Sequence, residues 1–440
     1  MTAAQIAAPR ALTPALLRLA WPVALARLGI MGMGVTDVIV VGQLAPHDLA
    51  FQALGWAPTG VALVAGIGLL TGVQVLAARA MGAGRAREAG AAWRRGVVVG
   101  LAAGVLTGAL LLFGTAPMLR ALGISKELAL GAAHVTAVLA FSLPLHLVYS
   151  ANASFLEAIQ RPTAPMAAMW IANVLNLVLN LLLVPEHGAV GSAAATVVSR
   201  AALALGLLIW IWLLSDASAL GVRARARSGD AMELLRIGGA AMVSQIAEAG
   251  AFSAMTVIAG RISDAAVAAY QILLNVMAVV FMIALGMAVA TAVLVSEAIG
   301  RKQPAEATRA GWTGLGLNTV AMIAAGVLVA FLAHPIARAF SADPVIAALV
   351  AGALPIGALV LAPDGGQVVA AQALRARGDN WFPTGSHVLA YVFVMPPLAF
   401  MLAEAHGQGV AGLLVAILIS SALSVLVLVA RFWALARKPG

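Results

Sequence analysis

Long apolar runs, separated by short polar segments, dominate this chain of 440 residues. A helix that crosses the hydrocarbon core of a bilayer needs about 20 predominantly apolar residues. Several of the runs are longer, which indicates helices that tilt, bend or project beyond the bilayer. The runs that are long enough lie near 14–42, 49–77, 93–113, 128–156, 165–184, 189–214, 233–260, 266–298, 310–333, 345–372, 383–403 and 410–435. The pattern therefore predicts an all-α polytopic membrane protein with twelve transmembrane helices.

The second half of the sequence repeats parts of the first half at a constant offset of 218 residues. The matching positions include Leu16-Leu17-Arg18 with Leu234-Leu235-Arg236, Val75-Leu76 with Val293-Leu294, and Leu156 and Pro165 with Leu374 and Pro383. Each half contains an even number of predicted helices, so both halves enter the membrane in the same sense. Such parallel repeats are related by a pseudo-two-fold axis along the membrane normal. The repeat predicts an N-terminal six-helix lobe over 1–214, a cytoplasmic linker over 215–232 and a C-terminal six-helix lobe over 233–440.

Basic residues flank the apolar runs and outnumber acidic residues by 26 to 17. When the N-terminus is placed in the cytoplasm, most Lys and Arg residues fall in loops on the cytoplasmic side, as the positive-inside rule requires. We therefore expect a multi-pass protein of the inner (plasma) membrane, a monomer, with both termini cytoplasmic. Arg27, Arg200 and His146 fall within predicted helices, and the sequence assigns them no role.

The composition excludes a water-soluble enzyme. Hydrophobic residues make up 62% of the chain and charged residues 10%, against about 25% charged in soluble domains. The absence of cysteine excludes disulfides and thiolate metal sites. The scattered basic residues do not form the clusters that bind nucleic acid. No serine-hydrolase, zinc-protease or phosphate-loop motif is present, so we expect a protein that is not an enzyme and that uses no ATP.

Three carboxylates lie deep within the predicted helices: Asp37, Glu248 and Asp364. An ionisable side chain at the centre of a bilayer costs about 2.5–3.5 kcal/mol on insertion scales, so each should face a cavity and serve an ion or a substrate. The alternative is a carboxylate that a neighbouring hydroxyl, amide or arginine merely satisfies. A deep carboxylate can exchange a proton, or it can hold Na⁺ with nearby oxygens, and the sequence does not choose between them.

Pairs of amide side chains recur at helical spacing. Asn176 and Asn180 are four residues apart and share one face of a helix, and so do Gln271 and Asn275. Amides aligned on one face either supply ligands to an ion or hold neighbouring helices together by hydrogen bonds. Both interpretations remain open at this stage.

Four stretches of the sequence resemble the multidrug and toxic compound extrusion (MATE) family, in particular its NorM-like branch. They are the run from Met31 to Gln43 that contains Asp37, the segment Gln245-Ile-Ala-Glu248, the run from Pro363 to Asp379 followed by Pro383, and Asn176 and Asn180 followed by Gly188, Gly191 and Thr196. The order of these stretches matches the family over essentially the whole chain. One departure is Ala376, which stands where the family often has glycine.

The resemblance implies an antiporter that exports organic, often cationic, compounds and other small amphipathic drugs in exchange for Na⁺ or H⁺ by alternating access. It requires no cofactor beyond the coupling ion, and its partners are these compounds and the lipid bilayer. In the N-terminal lobe it implies a polar cluster of Asp37, Asn176, Asn180 and Thr196. In the C-terminal lobe it implies a cluster of Glu248 and Asp364, as a candidate Na⁺ site, with Gln245, Gln271 and Asn275.

Two other functions compete with this interpretation. A flippase for lipid-linked substrates of similar build needs cationic groups for a pyrophosphate, whereas the deep charges here are mainly acidic. An integral membrane enzyme needs polar motifs clustered in its loops, whereas the loops here are short.

Overall fold

The computed structural model describes residues 11–224 and 231–437, and this part of the chain is built from helices. The N-terminal half contains α1 (Leu12–Leu44), α2 (Leu49–Gly82), α3 (Ala86–Ala121), α4 (Lys126–Ala140), α5 (Ser142–Ala158) and α6 (Thr163–Trp212). The C-terminal half contains α7 (Met232–Ile262), α8 (Asp264–Gly300), α9 (Pro304–Phe331), α10 (Ala333–Phe340), α11 (Pro344–Arg377), α12 (Trp381–His387), α13 (Met395–Ala399) and α14 (Gly409–Ala436). The predicted cytoplasmic termini themselves lie outside the described residues.

Eleven helical stretches in the described residues are long and apolar enough to cross a membrane. The longest, α6, spans 50 residues and is interrupted at Gly188, where the backbone leaves the helical conformation. The segments 163–187 and 189–212 on either side are each long enough to cross. The interruption makes twelve crossing segments, so the predicted all-α fold with twelve spans is confirmed.

The interruption at Gly188 depends on glycine. Its φ of 56° lies in the left-handed region, which is costly for residues with a Cβ atom. A Cβ atom at this position would also collide with the carboxylate of Asp48, which accepts a hydrogen bond from the N–H of Ala189 at 3.0 Å. Asp48 thereby satisfies a backbone donor at the start of the second segment, as an N-cap does.

We expect Gly188→Ala to lower the unfolding temperature of the detergent-solubilised protein. The left-handed conformation of a non-glycine residue costs about 1–3 kcal/mol, and the collision with Asp48 adds to that cost. Gly206→Ala is the matched control, because Gly206 lies in the same helix and a Cβ atom added there would have no other atom within 4 Å. Thermal unfolding of both variants measures the effect. Equal unfolding temperatures for the two variants would show that the break tolerates a side chain.

The eleventh crossing segment, Trp381–Ala405, is irregular. Two π-helical stretches, Val388–Val394 and Phe400–Ala405, flank the short α13. Pro396 and Pro397 lie in α13 and supply no backbone N–H, which prevents a continuous α-helical hydrogen-bond ladder through this region. The irregular stretch carries Tyr391, which is part of a site described below.

The described residues form two compact units. The N-unit comprises Leu25–Gly250 and Asn380–Gly385, and the C-unit comprises the described parts of Met1–Ala24, Ala251–Asp379 and Ser386–Gly440. The units differ from the two lobes predicted from the repeat in two places. The described part of the chain up to Ala24, which includes the start of α1, belongs to the C-unit, and α7 up to Gly250 belongs to the N-unit. The division into lobes at 214 and 233 stays a prediction.

The first part of the predicted linker is anchored to the N-unit. The guanidinium of Arg161 donates two hydrogen bonds to the carboxylate of Asp216, at 3.1 and 2.7 Å, and the N–H of Gly90 donates to the carbonyl of Leu220 at 3.0 Å. Ala217 and Val222 are fully buried. The linker up to residue 224 is therefore packed against helices, while its residues 225–230 lie outside the described part of the chain.

Candidate ion-coupling sites

Asp37 lies in α1 at the centre of a buried polar cluster in the N-unit, with none of its surface exposed. One carboxylate oxygen, Oδ1, accepts hydrogen bonds from Asn176 Nδ2 at 3.1 Å and from Asn180 Nδ2 at 2.8 Å. The other oxygen, Oδ2, accepts from Thr196 Oγ1 at 2.7 Å. The structure thus brings together the four residues that the resemblance placed in one cluster.

The break at Gly188 builds this cluster. Asn176 and Asn180 precede the break and Thr196 follows it, yet Asn176 Nδ2 donates to Thr196 Oγ1 at 3.4 Å. Residues 20 apart in a straight helix do not touch, so the chain reverses direction at Gly188. The reversal turns the amide face of one segment and the hydroxyl of the next towards the same carboxylate.

The cluster offers oxygen atoms that suit a hard cation. The side-chain oxygens Asn176 Oδ1 and Asn180 Oδ1 are buried and have no hydrogen-bond partner among the described residues. Together with the Asp37 carboxylate and Thr196 Oγ1, they form the kind of carboxylate, amide and hydroxyl set that binds hard cations such as Na⁺. The same carboxylate can instead take up a proton. The residues present therefore fit either coupling ion.

Asp364 lies in α11 and is a buried acid of the C-unit, with 8% of its surface exposed. Its Oδ1 accepts hydrogen bonds from the Tyr391 hydroxyl at 3.1 Å and from Ser421 Oγ at 3.0 Å. Tyr391 and Ser421 are fully buried, and their hydroxyls lie 3.2 Å apart. Sequence reasoning missed both residues. The signal that points to Ser421 is the group Ser420, Ser421 and Ser424 in an otherwise apolar run.

Gln271 and Asn275 share a face of α8 as predicted, but their hydrogen bonds do not reach Asp364. Gln271 Nε2 donates to Thr256 Oγ1 at 3.2 Å, and Asn275 Nδ2 donates to the carbonyl of Gln271 at 2.9 Å. Both side chains are exposed, whereas Asp364 is buried. A side-chain amide that bonds to the backbone four residues earlier is satisfied within its own helix. The hydrogen bonds of Asp364 go to Tyr391 and Ser421 instead.

Gln245 and Glu248 lie in the part of α7 that belongs to the N-unit, and both are partly buried. Asp364 belongs to the C-unit. The predicted pairing of Glu248 with Asp364, and with it the candidate Na⁺ site at those two residues, therefore stays a prediction.

Twelve crossing segments in the described residues, with buried carboxylates in both compact units, are typical of a polytopic membrane transporter. The model of the MatE family matches residues 22–182 and 240–401. The chain is 47% identical over 428 residues, covering 95% of this chain and 90% of the relative, to a probable multidrug resistance protein NorM of Caulobacter vibrioides. It is 28% identical over 400 residues, covering 88% and 83% of the two chains, to the multidrug resistance protein PmpM of Pseudomonas aeruginosa. This chain belongs to the MATE family.

Solved structures agree with the fold. The eukaryotic MATE transporter AtDTX14 superposes with a TM-score of 0.89 at 19% identity, over 97% of this chain and 98% of that chain. A MATE in the bent conformation superposes with a TM-score of 0.87 at 20% identity, over 96% of both chains. At this level of identity the likeness concerns the fold alone, and it confirms the fold class that the hydrophobic pattern and the repeat predicted.

Proposed function

We propose that this transporter exports organic, often cationic, compounds across the inner membrane in exchange for Na⁺ or H⁺ by alternating access. The observation that carries the proposal is the Asp37 cluster, in which a fully buried carboxylate meets two amides and a hydroxyl that all donate to it. The names of the relatives, multidrug resistance proteins NorM and PmpM, support the export of drugs.

Cation uptake at Asp37 supplies a physical reason for a conformational change. A charged carboxylate holds three donors, and a carboxylate that is protonated or bound to Na⁺ holds them less strongly. The donors come from both segments of α6, while Asp37 lies in α1. Loss of these bonds frees α1, whose sequence contains Gly29, Gly32 and Gly34 close to Asp37, to change its bend. Asp364 offers the same chemistry through Tyr391 and Ser421 in the C-unit.

A small apolar cavity lies beside the Asp37 cluster in the N-unit. Its volume is about 190 Å³, and it is lined by Gly34, Val38, Leu49, Gln52, Ala53 and Trp56. Gly34 and Val38 flank Asp37 in α1, so a bend of this helix would change the cavity. The apolar walls and the single aromatic ring suit part of an amphipathic drug. We propose that this cavity receives the apolar part of the exported compound.

The decisive experiment uses the purified protein in proteoliposomes loaded with a cationic dye. An imposed Na⁺ gradient and an imposed pH gradient are applied separately, and dye movement is recorded for each. Movement driven by one gradient, and abolished by its collapse, supports the antiporter and identifies the coupling ion. Movement of a lipid-linked substrate without movement of dye under either gradient would instead establish the flippase.

The monomeric state and the cytoplasmic termini are also proposals. Because the chain has no cysteine, single introduced cysteines report topology without a background. Arg309→Cys should react with a membrane-impermeant thiol reagent only after the membrane is opened, and Lys126→Cys should react in intact cells. The opposite pattern would invert the proposed orientation.

A further inference from the structure

Arg200 is a buried cation in the N-unit that the proposed mechanism does not use. It lies in the second segment of α6 with 3% of its surface exposed. Its Nη1 donates to Ser142 Oγ at 2.8 Å, and its guanidinium lies over the ring of Trp56, 5.3 Å from the centroid. It forms no ion pair with a carboxylate of the described residues. A buried cation without a direct ion pair is costly, so its position calls for an explanation.

The nearest explanation is Asp37. Arg200 follows Thr196 by four residues and therefore neighbours it on one face of the helix. Thr196 in turn donates to Asp37 Oδ2 at 2.7 Å. Arg200 and Asp37 therefore both lie next to Thr196, and opposite charges this close in a buried site attract each other. Arg200 thus offsets the charge of Asp37 through space and leaves the carboxylate oxygens to Asn176, Asn180 and Thr196.

The other ionisable groups described around Asp37 and Arg200 do not supply a counter-charge to Asp37. His146 in α5 is buried and lies one turn after Ser142, the residue to which Arg200 donates. Arg27 in α1 has its own acid, because its Nη2 lies 3.7 Å from Glu157 Oε1 in α5. Glu157 Oε2 also accepts from Gln74 Nε2 in α2 at 3.1 Å. The nearby α2 residues Gln52 and Trp56 are uncharged.

Asp364 has no such counter-charge among the partners described for it. Its hydrogen bonds come from the uncharged hydroxyls of Tyr391 and Ser421, and no ion pair within the described residues includes it. A cation that binds at Asp364 neutralises an uncompensated charge. A cation that binds at Asp37 leaves the charge of Arg200 without its partner.

We propose that Arg200 is a fixed counter-cation of Asp37 that weakens cation uptake there and so promotes release of the coupling ion in each transport cycle. The inference rests on the proposed coupling function of Asp37. Two charges separated by less than about 10 Å at an effective dielectric constant near 20 change an affinity by about tenfold or more. Arg200 is a positioning and tuning residue, because it acts on the ion through Asp37.

The test compares Arg200→Gln, Arg200→Lys and Ser142→Ala in proteoliposomes, with dye efflux recorded against pH and against Na⁺ concentration. Arg200→Gln should reach its half-maximal rate at a coupling-ion concentration about tenfold lower than the wild type, with a lower maximal rate because release is slower. Arg200→Lys keeps the charge, and Ser142→Ala removes a hydrogen bond to Arg200 but keeps the charge. Because both controls keep a cation at position 200, their half-maximal coupling-ion concentrations should shift less than that of Arg200→Gln.

Ser142→Asp provides a second variant that retains Arg200. The new carboxylate lies next to the guanidinium and neutralises its positive charge. The coupling-ion concentration at the half-maximal rate should therefore shift in the same direction as in Arg200→Gln. In an Asp37→Asn background, which loses turnover, neither change should move the midpoint of cation binding, as expected of a coupled pair. Equal shifts for Arg200→Gln and Arg200→Lys, or unchanged midpoints for Arg200→Gln and Ser142→Asp, would overturn the inference.

A binding measurement separates this inference from the proposed function. Proton release and ²²Na⁺ binding by the purified Asp364→Asn protein, with and without Arg200→Gln, report cation uptake in the absence of transport. A wild-type protein that moves no dye would refute the proposed function. The binding midpoint would still support the role of Arg200 if it shifts about tenfold on Arg200→Gln, and would refute that role if it does not shift.

Discussion

Asp364→Asn is expected to abolish dye efflux driven by an ion gradient while the amount of protein in the membrane stays at the wild-type level. The substitution keeps the shape of the side chain and removes the group that binds and releases the cation. The amide oxygen still accepts hydrogen bonds from the hydroxyls of Tyr391 and Ser421, which in the wild type bond to Asp364 Oδ1. Folding should therefore survive, and coupling should not.

The matched control for this variant is Asp343→Asn in the same unit. Asp343 is an exposed N-cap whose side chain accepts hydrogen bonds from the backbone N–H groups of Val345 and Ile346. Asparagine caps helices about as well as aspartate does, so this variant should insert and transport normally. Quantitative membrane blots and dye efflux measure both variants. If the Asp364→Asn protein inserts normally and exports dye at the wild-type rate, Asp364 has only a structural role.

The crossing helices could be predicted from the sequence because a bilayer imposes a length and an apolar composition on each of them. The predicted spans 165–184 and 189–214 correspond to the two segments of α6, which the structure joins through the single residue Gly188. Pro185, Glu186 and His187 separate the two apolar runs in the sequence and directly precede Gly188. The hydrophobic pattern did not show that the turn would be so short, because that depends on the bond from Ala189 to Asp48.

The candidate sites were predictable in part. Spacing placed Asn176 and Asn180 on one face, and it did the same for Gln271 and Asn275. Periodicity identifies a shared face but does not identify what that face contacts, so one pair meets Asp37 whereas the other lies exposed. Tyr391 carried no signal of its own, since a single hydroxyl in an apolar run resembles ordinary packing. The group Ser420, Ser421 and Ser424 marks a polar stretch but does not identify the acid that it contacts.

The sequence repeat did not predict which residues belong to each of the two compact units. Sequence similarity at a fixed offset assigns α1 to the first half and α7 to the second half. The packing of the backbone instead places the described chain before Leu25 in the C-unit and α7 up to Gly250 in the N-unit. Gly68 and Gly72 of α2 show how this happens, since a Cβ atom on either would meet the backbone of α7 at Met242 or Leu234. Close approach of this kind depends on tertiary packing, which a repeat does not encode.

Asp37→Asn is expected to retain drug binding and to lose turnover. The asparagine imitates the protonated carboxylate, so the N-unit should remain in the conformation that follows cation uptake. Like the protonated acid, the new amide carries no charge, so it should hold the donors of Asn176, Asn180 and Thr196 less strongly than the carboxylate does. Binding of a labelled drug and dye efflux across a range of pH measure the two properties separately.

Arg200 adds a second expected effect to this variant. With Asp37 neutral, the buried guanidinium loses its counter-charge, which destabilises the folded protein because a buried charge without compensation is costly. Asp37→Asn should therefore unfold at a lower temperature than the wild type, and the double variant with Arg200→Gln should recover part of that loss. Asp216→Asn is the control in the same unit, because its half-exposed ion pair with Arg161 contributes at most about 1 kcal/mol. Near-normal efflux with an unchanged pH dependence in Asp37→Asn would remove Asp37 from the coupling mechanism and leave Glu248 and Asp364 as the remaining candidates.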